Sequence, residues 1–453
     1  MKQYNAKNIL NIALAGHGGA GKTSIIESML YLSGASDRLG KIADGNTICD
    51  FDPEEVKRKA SVSTAVAPVE WKNKKLNFID TPGLFDFEGG LWEGVRAADT
   101  VMIAVSGKNG VSVGTEKAVK AAESRGLSKV FFVNGLCDES ARFYRVFETL
   151  KASFGPSVCP VVVPFIVDGQ ANCYVNLLEY KAYAYSPDGK VSEVPMPDMG
   201  DRLEGLRTAI YEAVAETSDE MFEKYFSGEA FTPEEVIVGV SRGVKSGAIS
   251  PVFCGDAINT FGIDQLLNGL VWLAPSAAEK SDEIGLDPDG NMVELSVNED
   301  GAPAAVVFKT IADPFVGKLS YFKVISGKVS PETPLVNMRT GNQERISKVM
   351  TVKGKKQEDA AYIGAGDIGA APKLQNTNTG DTLCSPVRKV TLDGVEYPNP
   401  CLSMAIYPKK KGEEDKVAQG VMRLCEEDPT IHFKNNQETH EMIISGMGEQ
   451  HLD

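Results

Sequence analysis

Gly16-His17-Gly18-Gly19-Ala20-Gly21-Lys22-Thr23 follows an apolar run from Ile9 to Ala15 and leads directly into Ser24-Ile25-Ile26-Glu27-Ser28-Met29-Leu30. The octapeptide fits G-x-x-x-x-G-K-[ST], and its flanks predict a buried strand before it and a helix after it. That context turns the pattern into a phosphate cradle. Glycines let backbone N–H groups close around phosphate oxygens, and a helix N-terminus adds a favourable field. In such a cradle, running from Gly16 to Ser24, Lys22 reaches the outer phosphates and the Thr23 hydroxyl a Mg²⁺ ion. The expected ligand is a nucleoside triphosphate.

A second motif narrows the class. Asp80-Thr81-Pro82-Gly83 follows the apolar stretch Leu76–Ile79, which reads as a strand end. At that place in a P-loop protein an Asp holds Mg²⁺, and the Gly83 N–H can sense the γ-phosphate and order a switch segment. The pattern D-x-x-G is weak alone; its distance from the P-loop and the strand before it give it meaning.

Length and composition set the outer bounds. At 453 residues the chain has room for about three domains. No apolar run approaches the roughly 20 residues of a membrane span, and the N-terminus Met1-Lys2-Gln3-Tyr4-Asn5 has no signal-peptide core. The eight cysteines form no C-x-x-C pair and read as reduced thiols, so a cytoplasmic protein without membrane contact is expected. A net charge of −15 excludes a generally basic nucleic-acid binder. RNA contact would need local patches such as Lys72/Lys74/Lys75, Lys353/Lys355/Lys356 or Lys409/Lys410/Lys411.

Along the chain, buried-strand runs (Phe78-Ile79, Val101–Val105, Val130–Val133, Val252-Phe253) alternate with helical patterns, the signature of a parallel sheet covered by helices. An interval from about 160 to 250 interrupts the alternation, with short strands near Val175 and Tyr180–Tyr185 and a helical stretch from Asp201 to Phe226. The Asp-, Glu-, Gly- and Pro-rich residues after 276 read as a linker. From Ala304 to Leu392, short strand-like runs with turns at Ser326-Gly327, Thr340-Gly341 and Thr379-Gly380 fit a β-barrel. Beyond Pro398, a strand at Leu402–Tyr407 precedes a helix with Val417, Val421, Leu424 and Cys425 on one face, then a strand near Met442–Ile444.

In this order the motifs resemble the translational GTPase elongation factor G, most of all the paralogues whose switch region reads D-P-E-E-x-K-R, here Asp52-Pro53-Glu54-Glu55-Val56-Lys57-Arg58. Ala213–Glu220 with Glu223-Lys224-Tyr225 carry the likeness in the insert. In the barrel it rests on Asp313-Pro314-Phe315-Val316-Gly317-Lys318 and Thr379–Leu383, and in the third domain on Glu426-Glu427-Asp428-Pro429 and Ser445–Leu452. The resemblance implies a multi-domain α/β plus β fold. A Ras-like P-loop G domain (1–280) would carry an inserted subdomain at about 160–250. A linker (281–302), a β-barrel second domain (303–393) and part of a ferredoxin-like third domain (397–453) would follow. It also implies GTP hydrolysis and GTP or GDP with Mg²⁺ as cofactors, the metal held by Thr23, Ser61 and Asp80. The implied partner is the ribosome during tRNA–mRNA translocation, with a monomer off the ribosome. The family chain continues into two further domains, whereas this sequence stops at Asp453, as a fragment or truncated product would.

The departures from the family pattern concern chemistry. Where its guanine-reading loop has N-K-x-D, this chain has Asn134-Gly135-Leu136-Cys137, which puts a neutral thiol where a carboxylate takes guanine N1–H and N2–H₂. The lysine stem that packs on the base is absent at Gly135, and Asp256, before Ala257, replaces a serine beside guanine O6. Asp138 is the alternative carboxylate. After D-T-P-G, elongation factor G has a water-orienting histidine and its paralogues often a tyrosine; here the residue is Leu84. Of the four histidines, only His17 lies near the site, with a structural role expected. Two readings stay open: a slow, ribosome-stimulated GTPase, or a non-hydrolysing or nucleotide-promiscuous ribosome-binding factor. The segment Thr47–Thr64, with few apolar anchors, is expected to be mobile without a γ-phosphate.

Overall fold

Seven strands form the central sheet of the computed structural model, which describes residues 2–186, 189–280, 282–313, 316–410, 412–436, 438 and 441–453. Pro314, Phe315, Lys411 and His440, which figure in the sequence reading, lie outside the described residues. The first elements are β1 (Ile9–Ala15), α1 (Lys22–Leu32), α2 (Pro53–Arg58), β2 (Ala65–Trp71), β3 (Lys74–Asp80), α3 (Gly89–Ala97), β4 (Thr100–Ser106), α4 (Val113–Ser124), β5 (Ser128–Asn134), α5 (Phe143–Phe154) and β6 (Val158–Pro160). The inserted unit comprises β7 (Val162–Val167), β8 (Gln170–Asn176), β9 (Lys181–Tyr185), β10 (Val191–Val194), α6 (Asp201–Ala215), α7 (Asp219–Phe226) and α8 (Pro233–Ser246). It ends at β11 (Ser250–Cys254), and α9 (Ile263–Leu273) follows.

Sheet order is β2-β3-β1-β4-β5-β11-β6, with β2 antiparallel to β3 and the other pairings parallel. Every residue of β1 is buried, as a strand covered by helices on both faces requires. β1 and β3 run side by side, with Leu14 opposite Asp80, so the P-loop and the Asp80 motif emerge at the same sheet edge. Strands β7–β10 form a separate antiparallel sheet, and the helical stretch after them divides at Glu216–Ser218, where Ser218 caps α7.

The stretch read as a linker is more ordered than its composition suggests. Glu283–Leu286 and Met292–Leu295 pair as a hairpin, and the first of these strands pairs with Thr391–Leu392 at the far end of the second domain. Its turn is built by Asp287, whose Oδ1 accepts from the Asp289 and Asn291 N–H groups at 2.9 and 2.8 Å. Between these strands lies the second domain, an eight-stranded antiparallel sheet around a core that includes Val307, Phe322, Val324, Leu335, Val349 and Leu383. The third domain is a β-α-β-β unit. Strands Leu402–Ile406, His432–Asn436 and Glu441–Gly446 form one antiparallel sheet, and helix Glu414–Glu427 packs Val421 and Val417 against it. Leu424, expected on that packed face, is 49% exposed: helix-spaced apolarity included a residue just outside the buried stripe.

The G domain and second domain share one continuous core, which takes in Phe308, Leu319, Met350 and Ile368. Across it, Lys75 donates to both carboxylate oxygens of Asp367 at 2.8 Å, and Lys323 to Asp99 at 2.6 Å. Lys75 is therefore a buried ion-pair partner and not part of a basic surface patch. Likewise Lys353 donates to the Ala35 carbonyl, which ties the second domain to the loop after α1.

Candidate nucleotide site

Gly21 precedes α1 without any side-chain cap, so the first N–H groups of the helix are left facing a cavity of about 670 Å³. Gly18, Gly19, Ala20, Gly21, Lys22, Thr23 and Ser24 line one end of it. Lys22 is 6% exposed, and its ammonium donates to the Gly16 and His17 carbonyls at 2.9 and 3.1 Å. Burial lowers its pKa, opposed by the Asp80 and Asp50 carboxylates. Gly83 presses on this loop so closely that a Cβ there would lie 2.2 Å from Lys22 Nζ and 2.8 Å from the Gly18 nitrogen. The Asp80 motif thus meets the P-loop backbone to backbone. The His17 ring packs edge-on against Phe85, with centroids 5.6 Å apart, and does not line the cavity.

The three residues expected to hold Mg²⁺ converge. Thr23 Oγ1 donates to Asp80 Oδ2 at 2.7 Å and lies 3.2 Å from Ser61 Oγ. Asp80 Oδ1 is buried without a partner, and the buried Asp50 carboxylate faces the Ser61 hydroxyl. Desolvation raises both carboxyl pKa values, that of Asp80 further through the nearby Asp50 charge. A buried carboxylate oxygen without a partner, with the Thr23 and Ser61 hydroxyls alongside, makes the hard oxygen donor set that a divalent cation takes, so the residues fit Mg²⁺. Asp50 escaped the sequence reading because no recurrent pattern marks it; its only signal is its place two residues before the Asp52-Pro53 helix start.

The switch segment is held mainly by buried carboxylates. Asp52 and Glu55 form a reciprocal capping box around the start of α2. Glu55 is 3% exposed, and its Oε1 also accepts from the N–H groups of Val62 and Ser63 at 3.1 and 3.2 Å. Glu27 accepts from the Ile48 N–H at 2.6 Å. Apolar anchors exist too, in buried Cys49 and in Ile48 and Phe51 against the main core, contrary to the expectation of few.

At the far end of the cavity stand Asn134, Gly135, Cys137, Asp138, Asp256, Ile258 and Asn259. Asn134 bridges the two ends: its Nδ2 donates to the Ala20 carbonyl at 3.0 Å, and its Oδ1 accepts from the Ala257 N–H at 2.9 Å. Asp138 sits at the rim, where its Oδ1 accepts from the Ser140 N–H at 2.7 Å and its Oδ2 lies 3.5 Å from Lys108 Nζ. Asp256 is 4% exposed, its carboxylate accepting from the Cys137 N–H and from Asn259. Leu84, half-buried, rests on the P-loop, with its Cδ2 3.1 Å from where a Cβ of Gly18 would be. Lys59, Lys108, Asn109, Ile258 and Asn259 also line the cavity and were not singled out from sequence.

A family model described as the elongation factor Tu GTP binding domain matches residues 7–276. The chain belongs to that family. The models for elongation factor G domain 2 and elongation factor G domain III match residues 302–386 and 397–453, so the chain carries the domain order of the elongation factor G-like translational GTPase family. Among solved structures, it is similar to a crystal structure of a protein from Thermus thermophilus, at 30% identity with a TM-score of 0.88. That match covers 98% of this elongation factor G-like chain and 65% of the Thermus chain. Among the described residues, no helix is long and apolar enough to cross a membrane.

Proposed function

We propose that this elongation factor G-like chain acts on the ribosome, in tRNA–mRNA translocation or a related step, as a nucleotide-dependent factor with weak hydrolysis and weak guanine discrimination. The observation that carries the reading is Leu84: an aliphatic side chain rests on the P-loop at Gly18, where the family pattern has a water-orienting group. Leucine neither donates nor accepts a hydrogen bond, and water-positioning or general-base groups typically contribute 10²–10⁴-fold. The phosphate end is different. Lys22 and the N–H groups at the start of α1 meet the phosphate charge, and GTP or GDP would bring Mg²⁺ to Thr23, Ser61 and Asp80. The metal would neutralise phosphate charge there.

At the base end, Cys137 supports weak discrimination. Burial, followed by the adjacent Asp256 carboxylate, pushes its thiol up to about 11, so it stays neutral and offers no charge to guanine N1–H and N2–H₂. Calorimetric titration with GTP, ATP and GDP in Mg²⁺ tests the reading. GTP should bind no more than about tenfold tighter than ATP, because contacts to the phosphates dominate. Exclusive GTP binding would overturn it, as would fast ribosome-stimulated phosphate release that is lost in Lys22→Ala. The second reading, a ribosome-binding factor that does not hydrolyse nucleotide at all, rests on the same leucine and requires no detectable phosphate release with ribosomes.

A further inference from the structure

We propose that Asp256 is a base-reading acceptor that favours a purine carrying a 6-amino group, so that the adenine nucleotide binds better than the guanine nucleotide. The inference rests on the nucleotide-binding reading above and adds a base preference to it. Triphosphate anchored at Lys22 and Thr23 directs the base towards Asn134, Cys137 and Asp256, at the other end of the same cavity. Asp256 is buried there, and no lysine or arginine pairs with it among the described residues. Asp138, the other carboxylate at this end, is exposed at the rim and faces Lys108.

Counting lone pairs decides which base edge fits. A carboxylate has about four acceptor sites, two on each oxygen. Oδ1 of Asp256 already accepts twice from Asn259, from the backbone N–H at 3.0 Å and from Nδ2 at 2.9 Å. Oδ2 accepts from the Cys137 N–H at 3.2 Å, which leaves one site. The Cys137 thiol hydrogen-bonds to the same carboxylate in the free chain, but S–H is a weak donor and yields to an N–H. One acceptor that no N–H fills cannot take the paired N1–H and N2–H₂ of guanine. It also repels the guanine O6 next to N1. The exocyclic amino group of adenine presents a single donor with no neighbouring oxygen, and that edge suits the site.

The test is calorimetry on the chain as it exists, with the Mg²⁺ complexes of ATP, GTP and purine riboside triphosphate, which lacks the 6-amino group. ATP should bind about three- to tenfold tighter than either of the others, as expected for one charge-assisted hydrogen bond partly offset by desolvation. Asp256→Ser should abolish that advantage. Asp256→Asn, which keeps the shape and removes the charge, should reduce it and guards against loss of fold. Equal binding of ATP and purine riboside triphosphate would overturn the inference and leave the weak-discrimination reading standing, and so would an ATP advantage unchanged in Asp256→Asn. GTP bound more than tenfold tighter than ATP would overturn both, as would the absence of binding by all three.

Discussion

Leu84 and Cys137 line opposite ends of one cavity, and under the proposed function they bear on different quantities. Water orientation lowers the barrier, whereas base contacts mostly change ground-state binding. Leu84→His should therefore raise ribosome-stimulated phosphate release by on the order of 10²-fold with little change in nucleotide affinity. Single-turnover kinetics beside calorimetry separate the two effects, and an unchanged rate would mean that another group positions the water. Restoring the base site is best begun with Cys137→Asp and Asp256→Ser. Gly135 has φ +78°, so a lysine there, though it meets no clash, would adopt the left-handed conformation at about 1–2 kcal/mol. The residue types at 84, 135, 137 and 256 were legible in the sequence because long motifs set their register. The two hydrogen bonds from Asn259 to Asp256 Oδ1 were not, since they depend on how a loop closes on itself.

The loops and helices around the phosphate end owe their shape to buried acids. The Asp52–Glu55 capping box can be read directly from D-x-x-E at a helix start. Glu93, on α3, shows what cannot. It is 6% exposed, with the Tyr397 hydroxyl donating to it at 3.0 Å and Lys309, Thr64 and Asp428 nearby. Burial pushes its carboxyl from 4.5 up to about 7. A raised carboxyl binds its proton more tightly in the folded chain, so this contribution to stability is complete below about pH 4.5 and is lost as pH rises through about 7. Glu93→Gln keeps the acceptor for Tyr397 without the charge. Relative to the parent it should be more stable at pH 8 than at pH 5, by on the order of 1–3 kcal/mol. Denaturant melts at the two pH values check this, and a pH-independent difference would refute it.

Taken whole, the molecule joins its domains through charge that sequence patterns do not reveal. Lys75 and Asp367 lie 292 positions apart yet pair in the core shared by the G domain and the second domain, at 2% and 6% side-chain exposure. Asp367→Asn should lower stability by about 3–5 kcal/mol, because it leaves a buried ammonium without its anion. The double variant Lys75→Met/Asp367→Asn should recover most of that loss. Thermal melts of both variants test the idea, which fails if the double is as unstable as the single. At the other side of the G domain, the third domain touches both switch regions. The Gln450 N–H donates to Asp86 at 2.9 Å, and Arg58 donates to the Gln450 carbonyl at 2.9 Å. A change in either switch therefore bears directly on the third domain.

The P-loop, the Asp80 motif and the alternation of buried strands with helices come from the sequence alone, because short-range periodicity and fixed spacing encode them. The same spacing identifies which family positions have changed. At 283–295 a polar stretch forms a hairpin whose first strand also pairs with Thr391–Leu392, a partner that local sequence does not contain. Leu424 was misplaced for a related reason: helical period locates a face but not the edge of what covers it. Only the tertiary structure brought Asp50 to the oxygens of Thr23, Ser61 and Asp80, buried Glu93 and Lys75, and left Asp256 Oδ2 with an acceptor site that no N–H fills. Burial and unused hydrogen-bonding capacity are set by neighbours distant in the chain, and they decide how an ionisable side chain behaves.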